Sequence, residues 1–160
     1  EKRRIDRLLR VLAESQHVEE AFYTLLVDPR SDRAQPQDGP AVIEHGGRLF
    51  MTYSASATDE NYAMGLLSAD AGANLLEPDS WTKSPEPVLT SSPAHSIFGP
   101  GHNSFTLAED DKTVMLVYHA RTYTEIEGDP LWNPDRHTFV KPLRWDEDGM
   151  PMFGDAALSD

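Results

Sequence analysis

Residues 98–121 read Phe98-Gly99-Pro100-Gly101-His102-Asn103-Ser104-Phe105-Thr106-Leu107-Ala108-Glu109-Asp110-Asp111-Lys112-Thr113-Val114-Met115-Leu116-Val117-Tyr118-His119-Ala120-Arg121. This stretch decides the fold. Gly99-Pro100-Gly101 predicts a rigid turn that delivers His102 and Asn103 to a strand start. Glu109-Asp110-Asp111 is an acidic turn, and Val114 to Tyr118 is a short apolar run of the kind buried on both faces of a sheet. A polar pair at the mouth of a β-structure is a common way to build a binding site.

The same pattern occurs earlier. Gly39-Pro40-Ala41-Val42-Ile43, a His45-Gly46-Gly47 turn, then Leu49-Phe50-Met51-Thr52-Tyr53-Ser54 parallels Gly101 to Phe105, the acidic turn, then Val114 to His119. Tyr53 and Tyr118 are 65 residues apart, and two antiparallel units at that interval predict a propeller or another radial repeat, with a two-sheet sandwich as the alternative. Around them the period-2 pattern predicts strands over Ala41 to Glu44, Arg48 to Ser54, Asn61 to Ala69, Ser104 to Ala108, Thr113 to Ala120 and His137 to Trp145. Trp81 to Lys83 and Val88-Leu89 are candidates for short outer strands. Residues 121–136, with Gly128, Pro130 and Pro134, predict a long loop.

Residues 1–35 differ. Ile5, Leu8, Leu9 and Leu12, continued by Ala21, Phe22, Leu25 and Leu26, recur at helical spacing. They predict an amphipathic helix from Lys2 to about Val27, stopped by Asp28-Pro29 and followed by a polar linker. The stripe would pack on the sheet domain of residues 36–160, or join two copies of the chain.

The chain has 160 residues and a net charge of −13. Five basic and two acidic groups fall in the first ten residues, which leaves nine basic against 25 acidic in the other 150. That body repels nucleic acid and anionic membrane; it is compatible with a neutral ligand such as a sugar, and equally with a charge that serves solubility alone. No cysteine is present, so disulfide and thiolate chemistry are excluded. No apolar run is long enough to span a bilayer. The sequence opens on Glu1, so a signal peptide cannot be judged, and an extracellular and a bacterial cytoplasmic location both stay open.

The Phe98–Arg121 stretch, with Asp38-Gly39-Pro40-Ala41-Val42-Ile43, Thr52-Tyr53-Ser54-Ala55-Ser56-Ala57 and Arg144-Trp145-Asp146-Glu147-Asp148-Gly149-Met150-Pro151, resembles glycoside hydrolase family 43. The arabinofuranosidase-like members are the nearest in pattern. The resemblance runs from about Asp38 to Phe153, the later half of that family's catalytic domain. It implies a mainly β fold: about two blades of a five-bladed β-propeller, preceded here by the N-terminal helix. It also implies inverting hydrolysis of arabinose- or xylose-containing plant polysaccharide by a carboxylate acid and base. An incomplete domain of little activity is the expectation, because the family's base and pKa-tuning aspartate belong to earlier blades. A non-catalytic carbohydrate-binding remnant and a half-enzyme completed by oligomerisation are the alternatives.

The resemblance places residues individually. Asp38 falls where the family has its general-acid glutamate, one methylene longer; as a bare Asp-Gly it is also a turn former. His102 maps to a histidine near the propeller axis that approaches a calcium ion through water. Arg136 maps to an arginine near the substrate pocket. Asn103, Arg121 and Trp132 complete the expected substrate contacts, through hydrogen bonds and ring stacking. His119, next to Tyr118 on an apolar run, reads as a satisfied core histidine.

Overall fold

A computed structural model describes residues 38–157. The expected helix with Ile5, Leu8, Leu9 and Leu12, its stop at Asp28-Pro29, the linker, and any joining of copies through that helix lie outside the described residues. Those described residues are mainly β. Strands β1 (Asp38–His45), β2 (Arg48–Ala55), β3 (Ala63–Asp70) and β4 (Thr82–Lys83) form one sheet in that order. Strands β5 (Phe98–Leu107), β6 (Val114–Arg121) and β7 (His137–Pro142) form a second, and β8 (Arg144–Trp145) with β9 (Pro151–Met152) a two-stranded ribbon. All neighbours are antiparallel.

The parallel between the two halves is structural. In both sheets the first strand opens over a Gly-Pro and slips register there, between Asp38 and Ala41 in β1 and between Phe98 and Ser104 in β5. Tyr53 and Tyr118 are buried at matching places on the second strands. The expected turn at Gly99-Pro100-Gly101 is instead a bulged part of β5, which starts six residues earlier than the alternation suggests. Gly99 at φ +60° and His102 at φ +48° supply the backbone bends that let a strand pass through Gly-Pro-Gly. The expected strand over His137 to Trp145 is divided at Leu143 into β7 and β8; the Leu143 N–H still donates to Val114 O at 2.8 Å, one step beyond the last β6–β7 pair, Met115 with Pro142.

The alternation of β2 explains the core. Phe50 faces the second sheet with Met64, Leu66, Leu116, Tyr118 and Phe153. Leu49, Met51 and Tyr53 face the other way, onto Leu67, Ala69 and Trp81. A strand buried on both faces reads as the near-continuous apolar run seen at 49–53. The ribbon closes over the first hairpin: Trp145 stacks on His45 with ring centroids 3.8 Å apart and planes 11° apart. Arg48 Nη1 donates to Met150 Sδ at 2.9 Å and Nη2 to Ser68 Oγ at 3.3 Å.

Candidate functional site

The openings of β1 and β5 meet. The His102 N–H donates to Ser54 Oγ at 2.6 Å, and Ser54 lies opposite Asp38 in the β1–β2 ladder. Gly39, at φ +57°, lies against His102: a Cβ there would approach His102 Cγ and Nδ1 to 3.1 Å. Gly101 has a similar constraint, since its Cβ would fall 2.3 Å from Tyr62 Cε1 and 3.0 Å from Ser54 Oγ. The glycines are there because backbone, not side chain, must fill these contacts. His102 itself holds a left-handed backbone, which costs a non-glycine residue about 1–3 kcal/mol, and such residues cluster at functional sites. Asp38 is described through its backbone, at the first position of β1.

The imidazole of His102 is exposed and stacks toward His119, with centroids 6.1 Å apart and planes 24° apart. His119 in turn lies parallel to Tyr62, at 5.8 Å and 3°. This row of three rings spans both sheets. The apolar run around His119 predicts a core position for it, and no local motif marks Tyr62 or Ser54 as a site residue. The half-buried His119 is on the face of β6 away from Leu116 and Tyr118, a placement its alternation with Tyr118 on the strand could have signalled.

Asn103, the next residue, is buried at 5% exposure, and neither its Oδ1 nor its Nδ2 has a hydrogen-bond partner among the described residues. An amide left so costs about 1–3 kcal/mol, which an incoming hydroxyl or carboxylate would recover.

Arg121 ends β6 at 3% exposure. Its Nε donates to Asn133 Oδ1 at 3.1 Å, its Nη1 to Thr58 O at 2.6 Å and its Nη2 to Pro130 O at 2.8 Å. Burial first, and the nearby Arg136 charge second, pull its pKa below the usual arginine value. Arg136 is partly buried. Its Nη2 donates to Pro130 O at 3.3 Å and Leu131 O at 3.0 Å, and its buried Nε has no partner among the described residues. Trp132 closes a single 3₁₀ turn, Pro130–Trp132, with 79% of its surface in solvent. The turn is capped by Asp129, whose Oδ1 accepts from the Leu131 N–H at 2.9 Å.

Among the described residues, no three His, Asp or Glu side chains cluster as a metal centre requires. Calcium takes six to eight oxygen ligands. The described surroundings of His102 include a second imidazole, His119, the Ser54 hydroxyl and the Asn103 amide oxygen, fewer oxygens than calcium needs, so they do not form a calcium site by themselves.

Residues 8–151 match the sequence pattern of Glycosyl hydrolases family 43. An extracellular exo-α-(1→5)-L-arabinofuranosidase of Streptomyces avermitilis is 57% identical over 117 residues, which are 73% of this chain and 24% of that protein. An α-L-arabinofuranosidase 43 of Humicola insolens is 56% identical over the same shares. Among solved structures, the α-L-arabinofuranosidase of Lactobacillus brevis superposes with a TM-score of 0.75 at 57% identity, covering 78% of this chain and 38% of that one. A thermostable family-43 glycoside hydrolase gives 0.60 at 32% identity, with 78% and 39% covered. The chain thus spans about a quarter of the length of the curated relatives it matches.

Proposed function

Because the chain belongs to glycosyl hydrolases family 43, we propose that it forms part of a glycosidase site for arabinose-containing saccharides. The observation that carries this reading is the buried amide of Asn103, without a hydrogen-bond partner among the described residues, beside the exposed His102, at the point where β1 and β5 open. A sugar hydroxyl is both donor and acceptor, so it can satisfy an amide oxygen or an amide NH₂. The arabinofuranosidase names of the relatives supply the sugar class.

In this reading the two sheets are adjacent blades of a five-bladed propeller, with β1 and β5 as inner strands; the glycosidase portion expected over residues 36–160 extends toward the N-terminus, since the family match begins at residue 8. Asp38 is the general acid. It protonates the departing glycosidic oxygen, while a second carboxylate activates water on the opposite face of the ring, as inversion requires. Asn103 and Arg136 bind sugar hydroxyls, and the exposed indole of Trp132 stacks on a ring. His102 would contribute to a calcium site through water, and the ion would supply a fixed positive charge near the propeller axis. Calcium titration followed by thermal unfolding, with His102→Ala as control, tests it.

The decisive test is hydrolysis of an aryl α-L-arabinofuranoside, with product stereochemistry followed by NMR. Turnover giving the inverted sugar, lost in Asp38→Asn, supports the enzyme reading. A second reading is favoured by the short acid at position 38: a carbohydrate-binding module without turnover. Saccharide binding that depends on Asn103 and Trp132, with no Asp38-dependent hydrolysis, would select it.

A further inference from the structure

We infer that Arg121 is a positioning residue: it fixes residues 122–136 against the first sheet and thereby sets how Arg136 and Trp132 meet a saccharide. The inference rests on the saccharide-site reading above.

The geometry separates Arg121 from a ligand-binding role. Each of its three guanidinium nitrogens already donates to an oxygen of the protein, and the side chain is 3% exposed. Its acceptors come from two distant places. Thr58 lies between β2 and β3 of the first sheet, 63 residues away in sequence, whereas Pro130 and Asn133 lie within the long segment. Arg121 therefore bridges the sheets at the base of that segment. A planar fork with fixed donor directions suits this task; the point charge of a lysine does not.

The anchored groups carry the restraint onward. Asn133 Oδ1, which accepts from Arg121, also accepts from the Asp135 N–H at 3.0 Å. Asn133 Nδ2 donates to Tyr123 Oη at 2.9 Å, and that hydroxyl donates to Asp135 Oδ2 at 2.8 Å. The two ends of the segment are thus tied to one amide. Pro130 O receives both guanidinium groups, Arg121 at 2.8 Å and Arg136 at 3.3 Å. Two cations at one carbonyl repel, which adds to burial, the larger cause, in lowering the Arg121 pKa. This arrangement holds Arg136 in place through a shared acceptor. Trp132, flanked by the anchored Pro130 and Asn133, is left 79% exposed on a fixed backbone. An aromatic surface that is already ordered binds without the entropy cost of ordering a loop.

The test pairs hydrogen–deuterium exchange of residues 122–136 with calorimetric binding of α-1,5-linked arabinotriose. For Arg121→Ala the expected result is at least tenfold faster exchange within 122–136, unchanged exchange in β2, and at least tenfold weaker binding. Arg121→Lys should recover part of both. Trp132→Ala and Arg136→Ala should weaken binding while exchange near Tyr123 stays as in the parent chain. Where Arg121→Ala does not fold, Asn133→Ala replaces it, removing one of the three anchors and giving about threefold effects in both readouts. Weaker binding with unchanged exchange would make Arg121 a direct ligand contact and overturn the proposal. Faster exchange with unchanged binding would reduce it to a brace and overturn it equally. Failure of the parent chain to bind the trisaccharide would instead remove the saccharide-site reading, and the proposal with it.

Discussion

The His102 N–H donates to Ser54 Oγ at 2.6 Å, across 48 residues of sequence. This bond joins the bulged start of one sheet to the end of the second strand of the other. Ser54 is fully buried, so no solvent can take over as acceptor. Ser54→Ala should cost about 0.5–1.5 kcal/mol, the net contribution of one hydrogen bond. Urea denaturation at constant slope measures it. A loss below a few tenths of a kcal/mol would mean that the β5 bulge is held by other contacts.

Gly101→Ala tests the close approach of the sheets. The added methyl would meet Tyr62 Cε1 at 2.3 Å and Cδ1 at 2.7 Å, inside any tolerable contact. The ring must shift, and Tyr62 is itself buried. Overpacking of this kind costs about 1–3 kcal/mol. Tyr62→Leu in the same chain should return part of that loss, because the smaller side chain leaves room. A double-mutant cycle reads the coupling, and strictly additive effects would contradict the geometry.

Alkaline pH should destabilise the fold through its two matched tyrosines. Burial pushes the hydroxyls of Tyr53 and Tyr118 from 10.0 up to about 12, with Asp155 adding to the effect at Tyr118. Between those values the unfolded chain has lost protons that the folded chain keeps. The stability these groups contribute is therefore whole below pH 10 and lost as pH rises toward 12. Lys141 acts in the opposite direction at lower pH. Burial depresses its pKa below 10.5, so its contribution to stability grows as pH approaches that value. Tyr118→Phe should flatten the decline above pH 10, while also losing the hydrogen bond to Ala156 O. A decline unaltered in both Tyr118→Phe and Tyr53→Phe would assign it to other groups.

The strands were legible wherever side chains alternate or run apolar. Leu49 to Tyr53 and Val114 to Tyr118 announce themselves because burial, a property of composition, requires it. The start of β5 was not legible, because its strand character depends on bulges at Gly99 and His102 and on an acceptor, Ser54, from the other sheet. The same limit applies to the site. His102 and Asn103 could be singled out from a Gly-Pro-Gly turn, whereas the row formed with His119 and Tyr62 depends on two sheets meeting. From the sequence Arg121 is an expected substrate contact beside the long loop, and only the positions of Thr58, Pro130 and Asn133 show that its fork faces inward.

Asp38 offers the sharpest test of catalysis. Its backbone opens β1 opposite Ser54, and the following Gly39 lies against the His102 ring, so residue 38 stands at the junction of the two sheets. A glutamate there would extend its carboxyl one methylene further. Displacing a catalytic group by about an ångström can cost on the order of a hundredfold in rate. The chain should therefore turn over an aryl α-L-arabinofuranoside more slowly than the roughly 1–10³ per second common among enzymes. Asp38→Glu should raise kcat at least tenfold with little change in KM, since reach affects proton transfer and not ground-state binding. Asp38→Asn should reduce turnover to the uncatalysed background. If both variants keep the parent rate, Asp38 is a turn residue and the proton donor lies elsewhere. If Asp38→Glu is slower than the parent while Asp38→Asn is inactive, the shorter acid fits this junction, and the backbone at Gly39 has already brought it close enough to act.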